Sequence, residues 1–318
     1  MRVSVIIPLY NKASYIVRAL SSVLRQTVRD LECIVVDDGS TDGGGDLVEN
    51  LKDPRVRLVR QINGGVSRAR NQGVSLARHP LIAFLDADDE WRPGFLEAGL
   101  EMHREHPGLA ASFTNYQRAP EGRPVLRQPK PHTRPLKDYF AFCLYNGGLG
   151  MCSSTVMARR GTLQKIGGFP EGRTMGEDLD TWFRLACAGA VAYTPTPLAI
   201  YHNSRKTMTA LPTNPDVWPT CLAYANSNGI PKAIACHAEQ WAALTRLCTV
   251  KDKLRSHDAQ ASRDLLSALP SRLLLNAAGL EVLIAIAMPR SMSHLPIVLA
   301  DIFSGVCRRL SLSQPGLR

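Results

Sequence analysis

Leu81-Ile82-Ala83-Phe84-Leu85-Asp86-Ala87-Asp88-Asp89 is the stretch on which the fold turns. The five apolar residues read as a strand, and the acids begin where the apolar run stops, which places them at the strand's carboxyl end. The same grammar appears upstream. Leu31 to Val36 is strand-like and runs into the polar turn Asp37-Asp38-Gly39-Ser40-Thr41-Asp42.

Working outward, Val3 to Leu9 is a short β-rich run, after which Tyr15, Ile16, Ala19, Leu20, Val23 and Leu24 recur with a helical period. Val56 to Val59 predicts a strand, Gly64-Gly65 a break and Val66 to Ala77 a helix. Strands alternating with helices predict an α/β fold with a mainly parallel sheet flanked by helices on both faces. In such sheets ligands sit outside the carboxyl ends of the strands, the edge on which both acidic clusters should fall.

Toward the C-terminus, Ala119 to Pro135 is rich in Pro, Arg and Gly and reads as a loop. Cys152 to Ala158 predicts a strand, Glu177 to Ala188 a helix, and Val191 to Tyr201 a strand broken by Pro195 and Pro197. After Pro231 the pattern turns helical, over 234–250 and 261–269, so residues 1–230 are expected to form the main domain and 231–318 a helical extension. Leu273 to Met288 is the most apolar stretch, but Asn276 and Glu281 interrupt it and Pro289 ends it. It falls short of the roughly 20 residues a membrane span needs, and a buried or interfacial helix is expected.

The 318 residues carry 38 Lys and Arg against 28 Asp and Glu, with 45% hydrophobic and 21% charged residues, which excludes intrinsic disorder. Residues 231–318 hold eleven basic and six acidic side chains, a charge of +5 that suits an anionic partner such as a membrane surface or a phosphorylated substrate. Nucleic acid is set aside, because no basic and aromatic stripe or known module appears and the acidic edge would repel a phosphodiester backbone. Eight scattered cysteines without a Cys-x-x-Cys pair argue against a disulfide framework or structural zinc. With an N-terminus that is strand-like rather than a signal peptide, the expected location is cytoplasmic.

Four clusters carry possible chemistry. Asp86-Ala87-Asp88 sets two carboxylates where both can turn toward one hard cation, and Mg²⁺ or Mn²⁺ so bound keeps sites for substrate phosphates. Asp37-Asp38 either caps the next helix or accepts hydrogen bonds from a nucleotide's base or sugar. Asn63 to Asn71 joins a glycine turn to a helix start carrying Arg68 and Arg70, a phosphate fork or a basic surface face. Gly176-Glu177-Asp178-Leu179-Asp180 puts acids in a first helical turn, where the dipole favours them and where one could also act as a general base.

In this order and with these gaps, the clusters, together with Val3 to Asn11, resemble the family 2 glycosyltransferases of the GT-A fold. The likeness covers about residues 1–205. It implies an enzyme that moves a sugar from a nucleoside diphosphate, with UDP favoured, to a hydroxyl of a saccharide or lipid-linked acceptor, with inversion, in surface polysaccharide or glycolipid synthesis. By the same likeness Asp178 looks like the catalytic base, Asp88 the principal ligand of Mn²⁺ or Mg²⁺, and Asp86 a contact to ribose or metal beside Ala87. Pro8, Tyr10, Asn11, Asp37 and Asp38 would line the base and ribose, and Arg70 would lie near the diphosphate. His202 follows a predicted strand where family members often carry a histidine that reaches the metal or phosphate, although the Arg205 to Thr209 segment departs from the usual spacing. A catalytically silent nucleotide-sugar binding protein is the alternative, which intact Asp88 and Asp178 disfavour. The basic extension would either dock peripherally on the inner face of the membrane or pack on the catalytic domain or a second subunit.

Overall fold

Runs of β-branched residues buried on both faces build the centre of the sheet in this computed structural model, which describes residues 1–119, 124–126, 134–146, 150–173 and 175–202, and positions 223–224, 227, 229–232, 234–242 and 245. The chain divides into two units, residues 1–137 with 151–210 and residues 138–150 with 211–318.

In the first unit β1 (Val3–Leu9), β2 (Leu31–Asp37), β3 (Val56–Arg60) and β4 (Leu81–Phe84) lie in the order β3-β2-β1-β4, all parallel. Val5, Ile6, Ile7, Ile34, Val35 and Val36 are fully buried, as a sheet covered on both faces requires. The connections are α1 (Ala13–Leu24), α2 (Gly44–Glu49) and α3 (Val66–Leu76). α1 buries Ile16, Ala19, Leu20 and Val23, the residues of its apolar period. α3 approaches β1 so closely that a Cβ on Gly73 would stand 2.5 Å from Ile6 Cγ2, so only glycine fits.

Beyond β4 come β5 (Glu90–Trp91), α4 (Phe95–Glu105), β6 (Leu109–Ala119) and β7 (Arg134–Pro135), then β8 (Val156–Arg159) and α6 (Arg160–Lys165). α5 falls in the second unit. The unit closes with α7 (Glu177–Ala188) and β9 (Ala190–His202). β8 enters antiparallel between β4 and β6, β6 and β9 pair in parallel, and β5 and β7 pair antiparallel with β9, so the sheet is mixed. Trp182 of α7 packs on Phe84 and Phe169, with ring centroids 6.1 and 5.5 Å away, and this seats α7 against β4. Trp91 and Phe95 stack at 4.0 Å in the core.

Two expectations shift. The first half of the strand predicted over Cys152 to Ala158 is a 3₁₀ turn, Ser153–Thr155, because Thr155 Oγ1 accepts from the Cys152 amide and donates to the Cys152 carbonyl. β9 runs unbroken through Pro195 and Pro197, since its register against β6 slips on either side of Asn115 and the missing N–H donors fall at the irregularity.

In the second unit Asp138 caps α5 (Tyr139–Tyr145), Oδ1 accepting from the Phe140 and Ala141 amides, and Oδ2 lies 2.7 Å from His237 Nδ1. Phe140 meets the buried Trp241 at 5.8 Å. Of the described residues in the 234–250 prediction, 235–242 and 245 are helical and 234 is a turn. The predicted helix over 261–269, the stretch Leu273 to Met288 and the segment Arg205 to Thr209 lie outside the described residues. Among those described, no helix is long and apolar enough to cross a membrane.

Candidate active site

The carboxyl ends of β1, β2 and β4 gather the predicted residues on one edge, at the point where the strand order changes direction beside β1. Pro8 lies near the end of β1 opposite Val36, and Tyr10 follows, 41% exposed. Asn11 takes a left-handed conformation (φ 49°), its Oδ1 accepting from the Thr41 amide at 2.9 Å and its own amide donating to Ser40 Oγ at 3.1 Å. The turn after β1 is thereby stapled to the turn after β2.

Asp37 and Asp38 are both buried. Asp37 Oδ1 accepts from the Ser40 amide at 2.9 Å, three residues on, which fixes the turn. Asp38 spends both oxygens on the next loop. Oδ1 accepts from Gln61 Nε2 and the Gly64 amide at 2.7 and 2.8 Å, and Oδ2 accepts from the Gly65 amide at 2.8 Å. Through these bonds Asp38 fixes the start of α3, and so the placement of Arg70.

Arg70 is the hinge of the site. Its side chain is 4% exposed, with Nη2 on Asp86 Oδ1 and Nη1 on Glu177 Oε1, each at 2.9 Å. The guanidinium also lies 5.2 Å from the centre of the Phe169 ring. A single cation therefore ties the end of β4 to the first turn of α7, reaching Glu177 across 107 positions of the chain. Arg70, expected near the diphosphate, is paired here with two carboxylates of the same edge.

Asp178, next to Glu177, has Oδ1 accepting from the Leu179 amide at 2.7 Å. Burial, then the neighbouring Glu177 charge, push its carboxyl up to about 7, and the Arg70 guanidinium only partly offsets this. Asp86 is also raised, first by burial, with Arg70 opposing and Asp88 adding to the rise. Asp178 feels the Asp86 charge and Asp86 that of Glu177, so the edge of β4 and the start of α7 are electrostatically linked.

The remaining acids divide their tasks. Asp88 Oδ2 is 2.8 Å from Lys12 Nζ, and its carbonyl accepts from Arg18. Ala87 is buried between the two aspartates. Asp89 points inward, one oxygen bonded to the Ser154 hydroxyl and the other accepting from the His202 amide at 2.9 Å. His202 itself turns its Nε2 to Glu90 Oε1 at 2.8 Å, a neighbour of the acidic run rather than Asp86 or Asp88. Among the described residues no three His, Cys, Asp or Glu side chains are arranged to hold a metal ion.

Sequence reasoning passed over Lys12, Arg18, Glu90, Ser154 and, as a partner of Arg70, Glu177. Only Glu177 carried a signal, as the residue beside the expected base at the start of an amphipathic helix.

An open sheet with parallel strands at its start, an antiparallel insertion beyond the switch point and carboxylates gathered from β4 and α7 define a GT-A type α/β protein. Comparison with known proteins places it further. Residues 4–167 match the model of glycosyl transferase family 2, and the chain belongs to that family. An uncharacterized glycosyltransferase of Nostoc sp. is 43% identical over 105 residues, 32% of this chain and 33% of the relative. TuaG of Bacillus subtilis, a putative teichuronic acid biosynthesis glycosyltransferase, is 37% identical over 200 residues, 60% of this chain and 74% of the relative. The chain thus spans about a third of the length of the Nostoc relative. The crystal structure of S. aureus TarS residues 1–349 in complex with UDP-GlcNAc superposes with a TM-score of 0.69 at 19% identity, covering 98% of this chain and 90% of that one, a likeness of fold.

Proposed function

We propose that the chain is an inverting glycosyltransferase that moves a sugar from a nucleoside-diphosphate sugar to an acceptor hydroxyl, in the synthesis of a surface polysaccharide or glycolipid. The observation that carries this reading is the Arg70 bridge, which sets the Asp178 carboxyl beside the Asp86 edge of the sheet. A base with its pKa near 7 is matched to taking a proton from a hydroxyl at neutral pH. A retaining double displacement would want a second, nucleophilic carboxylate across the sugar, whereas Glu177 and Asp89 are held in other bonds.

The hard oxygen donors of Asp86 and Asp88 fit Mg²⁺ or Mn²⁺, which binds through one or two carboxylates and completes its shell with water and substrate phosphates. Such a cation, when bound, would neutralise charge on the departing diphosphate. The chain's own residues supply the rest. Tyr10 offers an exposed side chain to a nucleotide base, Asn11, Asp37 and Asp38 shape the turns that flank it, and Arg70 holds Asp86 and Glu177 in place.

On this reading residues 1–230 carry the chemistry, and the basic 231–318 segment brings the enzyme to an anionic surface or to its own catalytic domain. UDP-sugars lead the donors to be tried, since TarS holds UDP-GlcNAc. The test is donor turnover with UDP-, GDP- and dTDP-sugars in Mn²⁺ or Mg²⁺ against an EDTA control. Turnover of one donor class that EDTA abolishes is expected, and turnover untouched by EDTA would remove the metal from the reading. No turnover of any donor by wild type, in the presence of acceptor polysaccharide or lipid extract, would remove the activity.

A further inference from the structure

Lys12 is held where a cation belongs. Its carbonyl accepts from the Tyr15 and Ile16 amides at the start of α1. On either side of it Asn11 is fastened to Ser40 and Thr41, and the Ala13 amide donates to Asp42 Oδ2 at 2.8 Å. The backbone at Lys12 is therefore clamped to the turn after β2, and from that clamp its ammonium reaches 2.8 Å from Asp88 Oδ2. The pair is well covered, the Lys12 and Asp88 side chains being 14% and 18% exposed. The Asp88 backbone carbonyl accepts from Arg18, which anchors the turn that carries the carboxylate.

We propose that Lys12 is a counter-ion of Asp88 that is handed to the donor diphosphate when a divalent cation binds there. The proposal rests on the metal reading of Asp88 given above. A divalent cation on Asp88 brings its charge within a few ångströms of the Lys12 ammonium, and that repulsion weakens the Lys12–Asp88 pair. An ammonium on a flexible four-carbon stem can swing without moving the backbone clamp, and the diphosphate is the anion that arrives at this edge. Lys12 thereby opposes metal binding when nucleotide is absent and favours nucleotide once metal is present, which couples the two affinities. It discourages the enzyme from holding a cation with nothing to activate.

The test uses the full chain and reads binding rather than turnover. Mn²⁺ affinity without nucleotide is measured by electron paramagnetic resonance, and UDP affinity at saturating Mn²⁺ by calorimetry, for wild type, Lys12→Gln, Lys12→Arg and Asp88→Asn, with far-UV circular dichroism to check folding. Lys12→Gln is expected to bind Mn²⁺ roughly fivefold tighter and UDP roughly fivefold weaker, the upper range for one partly exposed ion pair. Lys12→Arg, which keeps the charge, should stay near wild type. If Lys12→Gln moves neither affinity, or moves both in the same direction, while Asp88→Asn loses Mn²⁺, the proposal is overturned and the metal site stands. If wild type binds no Mn²⁺ with or without UDP, the metal reading falls and this proposal goes with it.

Discussion

Arg70→Gln is the perturbation that reaches furthest into the structure. The substitution removes one guanidinium from between two carboxylates, of which Glu177 is 10% exposed and Asp86 30%. Breaking a buried ion pair by deleting one partner costs about 3–5 kcal/mol, because the other charge stays buried without compensation. Glu177 meets that condition, whereas Asp86 is open enough for water to screen it, so the loss should sit near the lower end, about 3 kcal/mol at pH 8. At about 2–4 °C per kcal/mol for a unit of this size, the melting point should fall by about 10 °C.

The pH dependence gives the sharper check. In wild type the Asp86 and Asp178 carboxyls already lie above their ordinary values, because burial outweighs the help of Arg70. Without Arg70 they rise further while their unfolded values do not change. An acid whose folded pKa is raised binds its proton more tightly in the folded state, so stability is kept at low pH and lost as pH rises through the raised value. The deficit of Arg70→Gln relative to wild type should therefore be small at pH 5, grow through neutrality and level off above it. Arg70→Gln with Glu177→Gln should recover part of the loss at pH 8, since it removes the stranded charge. Urea unfolding of the three proteins at pH 5.5 and 8.0 measures all of this. An Arg70→Gln protein within 1 kcal/mol of wild type at pH 8, or a double variant no better than the single one, would refute the assigned role.

Other consequences are more local. Asp178→Asn should lower transfer by about 10²- to 10⁴-fold with donor affinity almost unchanged in calorimetry, and wild-type kcat/KM should fall about tenfold per pH unit below about pH 7, where the base becomes protonated. Gly73→Ala forces a methyl against Ile6 and should cost about 1–3 kcal/mol in urea unfolding, despite alanine's better helix propensity. His103 is fully buried, and burial lowers its pKa to about 4. Its folded pKa is depressed, so its neutral form favours the fold above the unfolded value near 6.5, and that contribution is lost as pH falls toward 4, at up to about 1.4 kcal/mol per pH unit. Replacing His103 by leucine should flatten the stability profile over that window.

The elements legible in the sequence are those set by local periodicity and local turns. β1, β2 and α7 begin and end within a residue of their predicted limits because apolar period, acidic turns and a glycine before α7 all act over a few positions. The proline-bearing β9 was not legible as a single strand, because what tolerates Pro195 and Pro197 is a slip against β6, and no local rule contains the partner strand. The same reasoning separates the acids of the site. That Asp86, Asp88 and Asp178 should share an edge follows from strand ends and a helix start, which are local features. Which cation each one meets does not. Lys12 reaches Asp88 across 76 positions and Arg70 reaches Glu177 across 107, and in both cases the partner is chosen by the placement of whole elements on the sheet. An arginine after a glycine turn has the chemistry to meet a phosphate or to form a basic surface face, and its own segment does not show which side chains of the protein it meets. In the fold, α3 packs so tightly on β1 through Gly73 that its Arg70 face is turned into the seam between β4 and α7, where the anions within reach are carboxylates. A motif thus identifies the groups that can do chemistry, while the packing of helices on the sheet decides which of them are left open to a substrate.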